Sequence, residues 1–171
     1  MLEFKNYDEG MATYLNRLDT IKMPLLSWNF YGEYLNQLIH HFSDQNQFYH
    51  LGKDKHWCFN MDVRKIWDIN TVVVVTCPSL KIVYATKNIV QMNGYQPEEV
   101  LGQSPKMFQG EATCPKTSLA IRKAIHNKEP FDKIVTNYCK DGSLYKCHIK
   151  AFPVFDKYGK LQNFIAFEKA A

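Results

Sequence analysis

An α+β fold is the architecture this sequence predicts: a five-stranded antiparallel sheet with helices on one face, preceded by an all-helical extension. Three observations carry it. Up to residue 70 apolar residues recur at the three and four spacing of helices; at Thr71 the run TVVVVT switches to strand; and after residue 130 three strand-like segments follow one another, separated by the turns KDG and KYG. The boundary falls between residues 70 and 71, which gives a helical cap or dimerisation extension over 1–70 and a sheet domain over 71–171.

Within the extension, Met11, Tyr14, Leu15 and Leu18 mark one face of a helix over Tyr7 to Ile21. Pro24 in KMPLLSW ends that pattern, and Ser27 stands where a cap for the next helix is expected. That helix, Trp28 to Phe42, places Phe30, Tyr34, Leu38 and Phe42 on one stripe; shorter helical segments are expected over Asp44 to Leu51 and near Asp62 to Asp68. Such amphipathic helices either cover a sheet in the same chain or pair with another copy.

In the sheet domain, TVVVVT and LKIVYAT form a hairpin about Cys77-Pro78-Ser79. Short helices follow: NIVQMNGY stops at Gly94, and PEEV begins on a proline. After the loop GQSPKMFQGEATC (102–114), Thr113 is placed to cap a helix over Cys114 to His126, with Leu119, Ile121, Ala124 and Ile125 as its apolar side. The segments FDKIVTNYCK, SLYKCHIKAFPVF and LQNFIAFEK complete the sheet.

Composition narrows the function. With 171 residues and 46% hydrophobic content, the chain is long and apolar enough for one folded domain plus an extension. The net charge of +4 is uneven: residues 1–70 carry seven basic against nine acidic residues, and 71–171 carry fourteen against eight. The basic residues of the second half are spaced singly, as on a solvated face, so nucleic acid is not an expected partner. Cys58, Cys77, Cys114, Cys139 and Cys147 are odd in number and form no C-x-x-C pair, which argues against a disulfide framework or a zinc site. The longest apolar run, Val72 to Val75, is too short to span a bilayer, so a cytoplasmic location without a membrane partner is expected. No nucleophile elbow, H-E-x-x-H or phosphate loop occurs, and neither a catalytic nor a metal site is expected.

The phrases NGYQPEEVLGQ (93–103) and NYCKDGSLYKCHIKAFPVFDKYGKLQNFIAFEK (137–169) resemble the PAS domain, in the same order of elements from Thr71 to Lys169. Within that superfamily the loop GQSPKMFQG is similar to the flavin-binding motif of the light-oxygen-voltage (LOV) branch, G-x-N-C-R-F-L-Q. Gly102 and Gln109 match, Lys106 replaces the arginine, and Met107 and Phe108 keep the apolar pair. Ser104 and Pro105 stand in place of the asparagine and the photoactive cysteine. A flavin adduct needs a thiol over the ring, which proline does not have, so adduct photochemistry at this position is excluded.

The resemblance implies a cofactor-binding set residue by residue. Lys106 and Arg122 would meet a phosphate, Asn137 the flavin's polar edge, and Gln109 keeps the glutamine of the loop motif. Cys147 and Glu168 occupy positions where the branch has asparagine and glutamine; a thiol is a weak hydrogen-bond partner, and a carboxylate has no donor. The same residues have ordinary readings: Lys106 and Arg122 as solvated charges, Gln109 and Asn137 as partners of backbone in a core filled by side chains. His148 reads as a strand-face residue.

Together these point to a PAS sensory and signalling module, bacterial in style, without an output domain of its own. It is expected to work through protein contact or rearrangement of a homodimer with an unidentified signalling protein. The alternative is a small-molecule sensor without cysteine-adduct photochemistry, for which flavin mononucleotide (FMN) is the ligand the resemblance implies.

Overall fold

All five residues of strand β1 (Val72–Thr76) are buried, and its place in the sheet explains the unbroken β-branched run. The strand order is β2-β1-β5-β4-β3, antiparallel throughout, with β2 at Ile82–Ala85, β3 at Phe131–Tyr138, β4 at Leu144–Phe155 and β5 at Leu161–Ala170. β1 is paired on both sides and covered on both faces, so it need not alternate apolar with polar residues. Val73 and Val75 enter one core with Phe48, Trp67, Tyr84, Val154, Ile165 and Phe167. Val72 and Val74 enter a second with Ile82, Ala85, Ile89, Val100 and Phe108. The predicted hairpin and the three consecutive C-terminal strands are all present, with Gly142 and Gly159 in the turns that join the latter.

The computed structural model describes residues 26–58 and 66–171, with side chains from residue 31 onward. It contains two compact units, Met1–Leu35 and Asn36–Ala171. The helix expected over Tyr7 to Ile21 lies outside the described residues, as do residues 62–65 of the segment expected near Asp62 to Asp68; residues 66–68 are not helical.

Helix α1 (Leu26–Asp54) runs unbroken through 29 residues, where the sequence suggested two pieces meeting near Ser43. Neither proline nor glycine interrupts it between residues 33 and 51, so nothing stops the hydrogen-bond ladder. Ser27, expected as its cap, lies inside the helix. Asp44 and Phe48 are its buried residues within the second unit, and Phe42, expected on the same stripe as Leu38, is 60% exposed. The buried Asp44 is explained by its bonds: the Lys87 N–H donates to its Oδ2 at 2.9 Å and the Tyr84 hydroxyl to its main-chain oxygen at 2.8 Å. These fix the part of α1 from Asn36 onward to the face of the sheet opposite the other helices.

On the other face lie α2 (Ile89–Asn93), α3 (Pro97–Val100), a 3-10 helix (Pro105–Phe108) and α4 (Pro115–Asn127). Gly94 ends α2 at φ 79°, the left-handed cap that glycine adopts without strain. α3 begins on Pro97 and carries a reciprocal cap between Gln96 and Glu99. Two details differ from expectation. Cys114, not Thr113, is the cap residue of α4, and the Thr113 hydroxyl is committed to the sheet. Leu119 is 64% exposed, and α4 has no fully buried residue. Among the described residues, no helix is long and apolar enough to cross a membrane.

Candidate functional site

The incomplete burial of α4 has a local cause. Between it, the 3-10 helix and the sheet lies a cavity of ≈340 Å³. Side-chain alternation decides which sheet residues face it: Val74 and Thr76 from β1, Phe164, Ala166 and Glu168 from β5, Ile149 and Ala151 from β4, Phe131 and Asn137 from β3. Ala151 and Ala166 are direct cross-strand partners, and two methyl groups side by side leave a hollow where larger residues would fill the layer. Ile121 and Ile125 of α4 and Phe108 of the 3-10 helix close it from above.

The loop that forms the rim is fastened at both ends. The Ile82 N–H donates to the Gln103 carbonyl, and the Gly102 N–H to the Ile82 carbonyl, both at 2.8 Å, which holds the loop to β2. The Ser104 hydroxyl accepts from the Lys106 N–H and starts the 3-10 turn with Pro105 in its first position. At the far end the Thr113 hydroxyl accepts from the Gly110 N–H at 3.1 Å and donates to the Thr136 carbonyl at 2.7 Å. The Ala112 N–H donates to the Tyr138 hydroxyl. Gly110 lies against the Tyr138 ring so closely that an added Cβ would sit 2.6 Å from it, so this position requires glycine.

Five of the six residues singled out in the sequence meet here. Lys106, Gln109, Arg122, Asn137 and Glu168 line the one cavity, although they come from the 3-10 turn, α4, β3 and β5. Lys106 and Arg122 are exposed at its mouth, and Asn137 and Glu168 are buried in its wall. Asn137 is 3% exposed and its Oδ1 has no hydrogen-bond partner among the described residues. A buried polar atom left in this state costs roughly 1–3 kcal/mol unless something satisfies it.

Cys147 is the sixth, and it does not line the cavity. It is fully buried, and its thiol donates to Glu168 Oε2 at 3.6 Å. Burial, and then the neighbouring Glu168, push that thiol far above its ordinary range. Burial likewise raises the Glu168 carboxyl to about 7, with the Cys147 hydrogen bond opposing the shift. Pro105 lies in the cavity lining, which contains no cysteine among the described residues. Cys114 is exposed at the start of α4, its thiol lowered by hydrogen bonding at Thr117.

Sequence reasoning missed the apolar half of the site. Ile149, Ala151, Phe164 and Ala166 stand two or four residues from Cys147 or Glu168 on the same strands, so strand parity alone placed them on the same face. Ile121 and Ile125 were expected to be apolar packing residues of α4, and they face the cavity. His148 turns to the opposite face, where its Nε2 is hydrogen-bonded to Asp132. Among the described residues, no three His, Cys, Asp or Glu side chains gather in a way that could hold a metal ion.

A family model described as PAS domain matches residues 70–169. The chain is 33% identical over 89 residues to a blue-light-activated histidine kinase of Brucella ovis, covering 52% of this chain and 18% of that protein. It is 38% identical over 88 residues to Protein TWIN LOV 1 of Arabidopsis thaliana, covering 51% of this chain and 22% of the other. The chain therefore spans about a fifth of the length of these curated relatives. Among solved structures, a light-oxygen-voltage domain from a flavin-analogue study superposes with a TM-score of 0.59 at 28% identity, over 64% of this chain and 83% of that one. The LOV domain of the Erythrobacter litoralis EL346 blue-light-activated histidine kinase gives 0.55 at 26%, over 58% and 94%.

Proposed function

The chain belongs to the PAS domain family, and from that premise we propose that this sensory domain holds a flavin-class ligand in its cavity without forming a thiol adduct, and signals through protein contact. The observation that carries the reading is the convergence of Lys106, Gln109, Arg122, Asn137 and Glu168 on one hollow. A core filled by side chains, the other reading of these residues, would bury the inner side of α4, which has no buried residue. The volume lies in the range of small-ligand sites, which are mostly apolar with a few placed polar groups.

The residues present fit the group. Lys106 and Arg122 at the mouth offer the cations for a phosphate; Asn137 and Gln109 offer amide groups for a polar ring edge; Ile121, Ile125 and Phe164 offer apolar surface for the ring. A bound flavin would supply absorption of blue light and redox chemistry. Pro105 leaves that ring without a thiol to react with.

The relatives named above include blue-light-activated kinases, and the match covers only a sensory portion of them. For output, α1 presents Ile39, Phe42 and Tyr49 on one side, at 63%, 60% and 48% exposure. Exposed apolar residues in register on a helix suit a contact with a second copy of the chain. Phe42→Asp is expected to shift the protein from dimer to monomer in sedimentation; a wild type that stays monomeric at high concentration would remove this part of the reading.

The ligand is tested by adding FMN to purified protein, desalting, and recording the spectrum before and after blue illumination. Retained flavin at one per chain, with no species that decays slowly in the dark as a thiol adduct does, is the expected result. Protein that retains no flavin would leave signalling by contact as the surviving function.

A further inference from the structure

Glu168 sits in the cavity wall at 6% exposure, in the middle of the sheet, with Val72 of β1 and Ile149 of β4 as its register partners. A buried carboxyl normally has a cation or several strong donors beside it. Here the hydrogen bond it receives comes from the Cys147 thiol, a weak donor. Among the described residues no cation lies within ion-pair distance of it.

We propose, on the reading that the cavity binds a flavin-class ring, that Glu168 enters the complex as the neutral acid and donates a hydrogen bond to a carbonyl or ring-nitrogen acceptor of the ligand. Binding is then coupled to proton uptake. The departure from the glutamine of the LOV branch is a proton-dependent donor in the same place, not a lost one.

The groups facing Glu168 support this from each side. β4 contributes Cys147 and Tyr145, both held in their neutral forms because burial raises them. β1 contributes Val74 and Thr76, and β3 contributes Asn137, none of them charged. Lys106 and Arg122 line the same cavity at its exposed mouth without pairing with the carboxyl. With only the weak thiol hydrogen bond to stabilise its charge, the carboxyl keeps its proton to about pH 7. Asn137 Oδ1, unpartnered in the same cavity, is an acceptor. The cavity therefore asks for a ligand with an acceptor towards β5 and a donor towards β3, the pattern of a ring bearing an amide or imide edge.

The test is a titration with riboflavin, which has no phosphate to titrate, between about pH 5 and about pH 9, on wild type, Glu168→Gln and Cys147→Ala. Wild-type Kd is expected to stay level below about pH 7 and to rise about tenfold per unit above it, whereas E168Q stays level throughout. C147A moves the break to higher pH, because the thiol hydrogen bond that lowers the carboxyl's pKa is gone. A level wild-type profile, an E168Q profile with the wild-type slope, or tighter binding as pH rises would overturn the proposal while leaving the flavin reading intact. Absence of binding by all three proteins at every pH would overturn both.

Discussion

On one face of β1, Val73 and Val75 meet Phe48 and Trp67 in a layer with Tyr84, Ile165 and Phe167. On the other face, one residue along, Val74 and Thr76 meet a hollow of ≈340 Å³. The same strand, at the same depth, thus serves two designs. The α1 face joins aromatic rings at 5.0 to 6.3 Å, with Phe48 among Trp57, Trp67 and Tyr84; there Asn163 accepts from Trp57 Nε1 and donates to the Thr76 carbonyl, while Trp67 Nε1 is buried without a partner among the described residues. The α4 face has small residues on the sheet, a helix without a buried residue, and polar atoms that the protein leaves unsatisfied. Packing on the first face secures the fold, which leaves the second free to keep a hollow.

Substitutions that affect only one face sharpen this contrast. Phe48→Ala should have the largest effect, a loss of about 3–5 kcal/mol in denaturant unfolding, since a large buried ring leaves a void among its neighbours. A loss below about 1 kcal/mol would mean that α1 does not hold the sheet.

Glu168→Gln tests the cavity face through pH. The folded carboxyl is raised from its ordinary 4.5 to about 7, so the neutral acid's contribution is complete below 4.5 and is lost as pH rises to about 7. Relative to its acid-side stability, wild type should be weaker at pH 8 by up to about 3 kcal/mol, and E168Q should not show this loss. Parallel profiles for the two proteins would show that the carboxyl is solvated.

Ala166→Leu adds three carbons to the hollow. Stability should change by about 1 kcal/mol or less, against about 1–3 kcal/mol lost for Val73→Phe on the filled face. Flavin uptake should fall about tenfold or more, because the ring and the new side chain compete for one volume. A large loss of stability in A166L would mean that both faces are equally packed.

The smallest effects are expected at the mouth. Lys106→Ala and Arg122→Ala should each change stability by less than about 0.5 kcal/mol, as exposed residues do. Each should weaken FMN by about tenfold, the worth of one charge-assisted hydrogen bond, and leave riboflavin binding unchanged. Equal losses for both ligands would place these side chains on the ring instead of on a phosphate.

Local pattern revealed the strands, the hairpin turns and the Gly94 cap, because alternation and turn chemistry act over a few residues, whereas the residues that meet at the cavity were legible only through the resemblance to the LOV branch. Asp44 was not legible as a buried group. In a helix it reads as solvated, and only the distant Lys87 N–H and Tyr84 hydroxyl make its burial tolerable. Thr113 looked like a cap by position, yet its hydroxyl serves the Thr136 carbonyl 23 residues away. Cys147 has the parity of a cavity residue, yet it is fully buried with its thiol on Glu168 and does not line the hollow. The raised carboxyl could not be read from residue type either, since a glutamate's pKa is set by what surrounds it.

At the centre of the proposed function stands a cavity face that holds a flavin-class ligand without a thiol adduct. Equilibrium dialysis of wild type and A166L against FMN, read by absorbance before and after blue light, tests it most directly. About one flavin per wild-type chain, little in A166L, and no slowly recovering adduct in either are the expected results. Equal uptake by both proteins, or none by wild type, would contradict it.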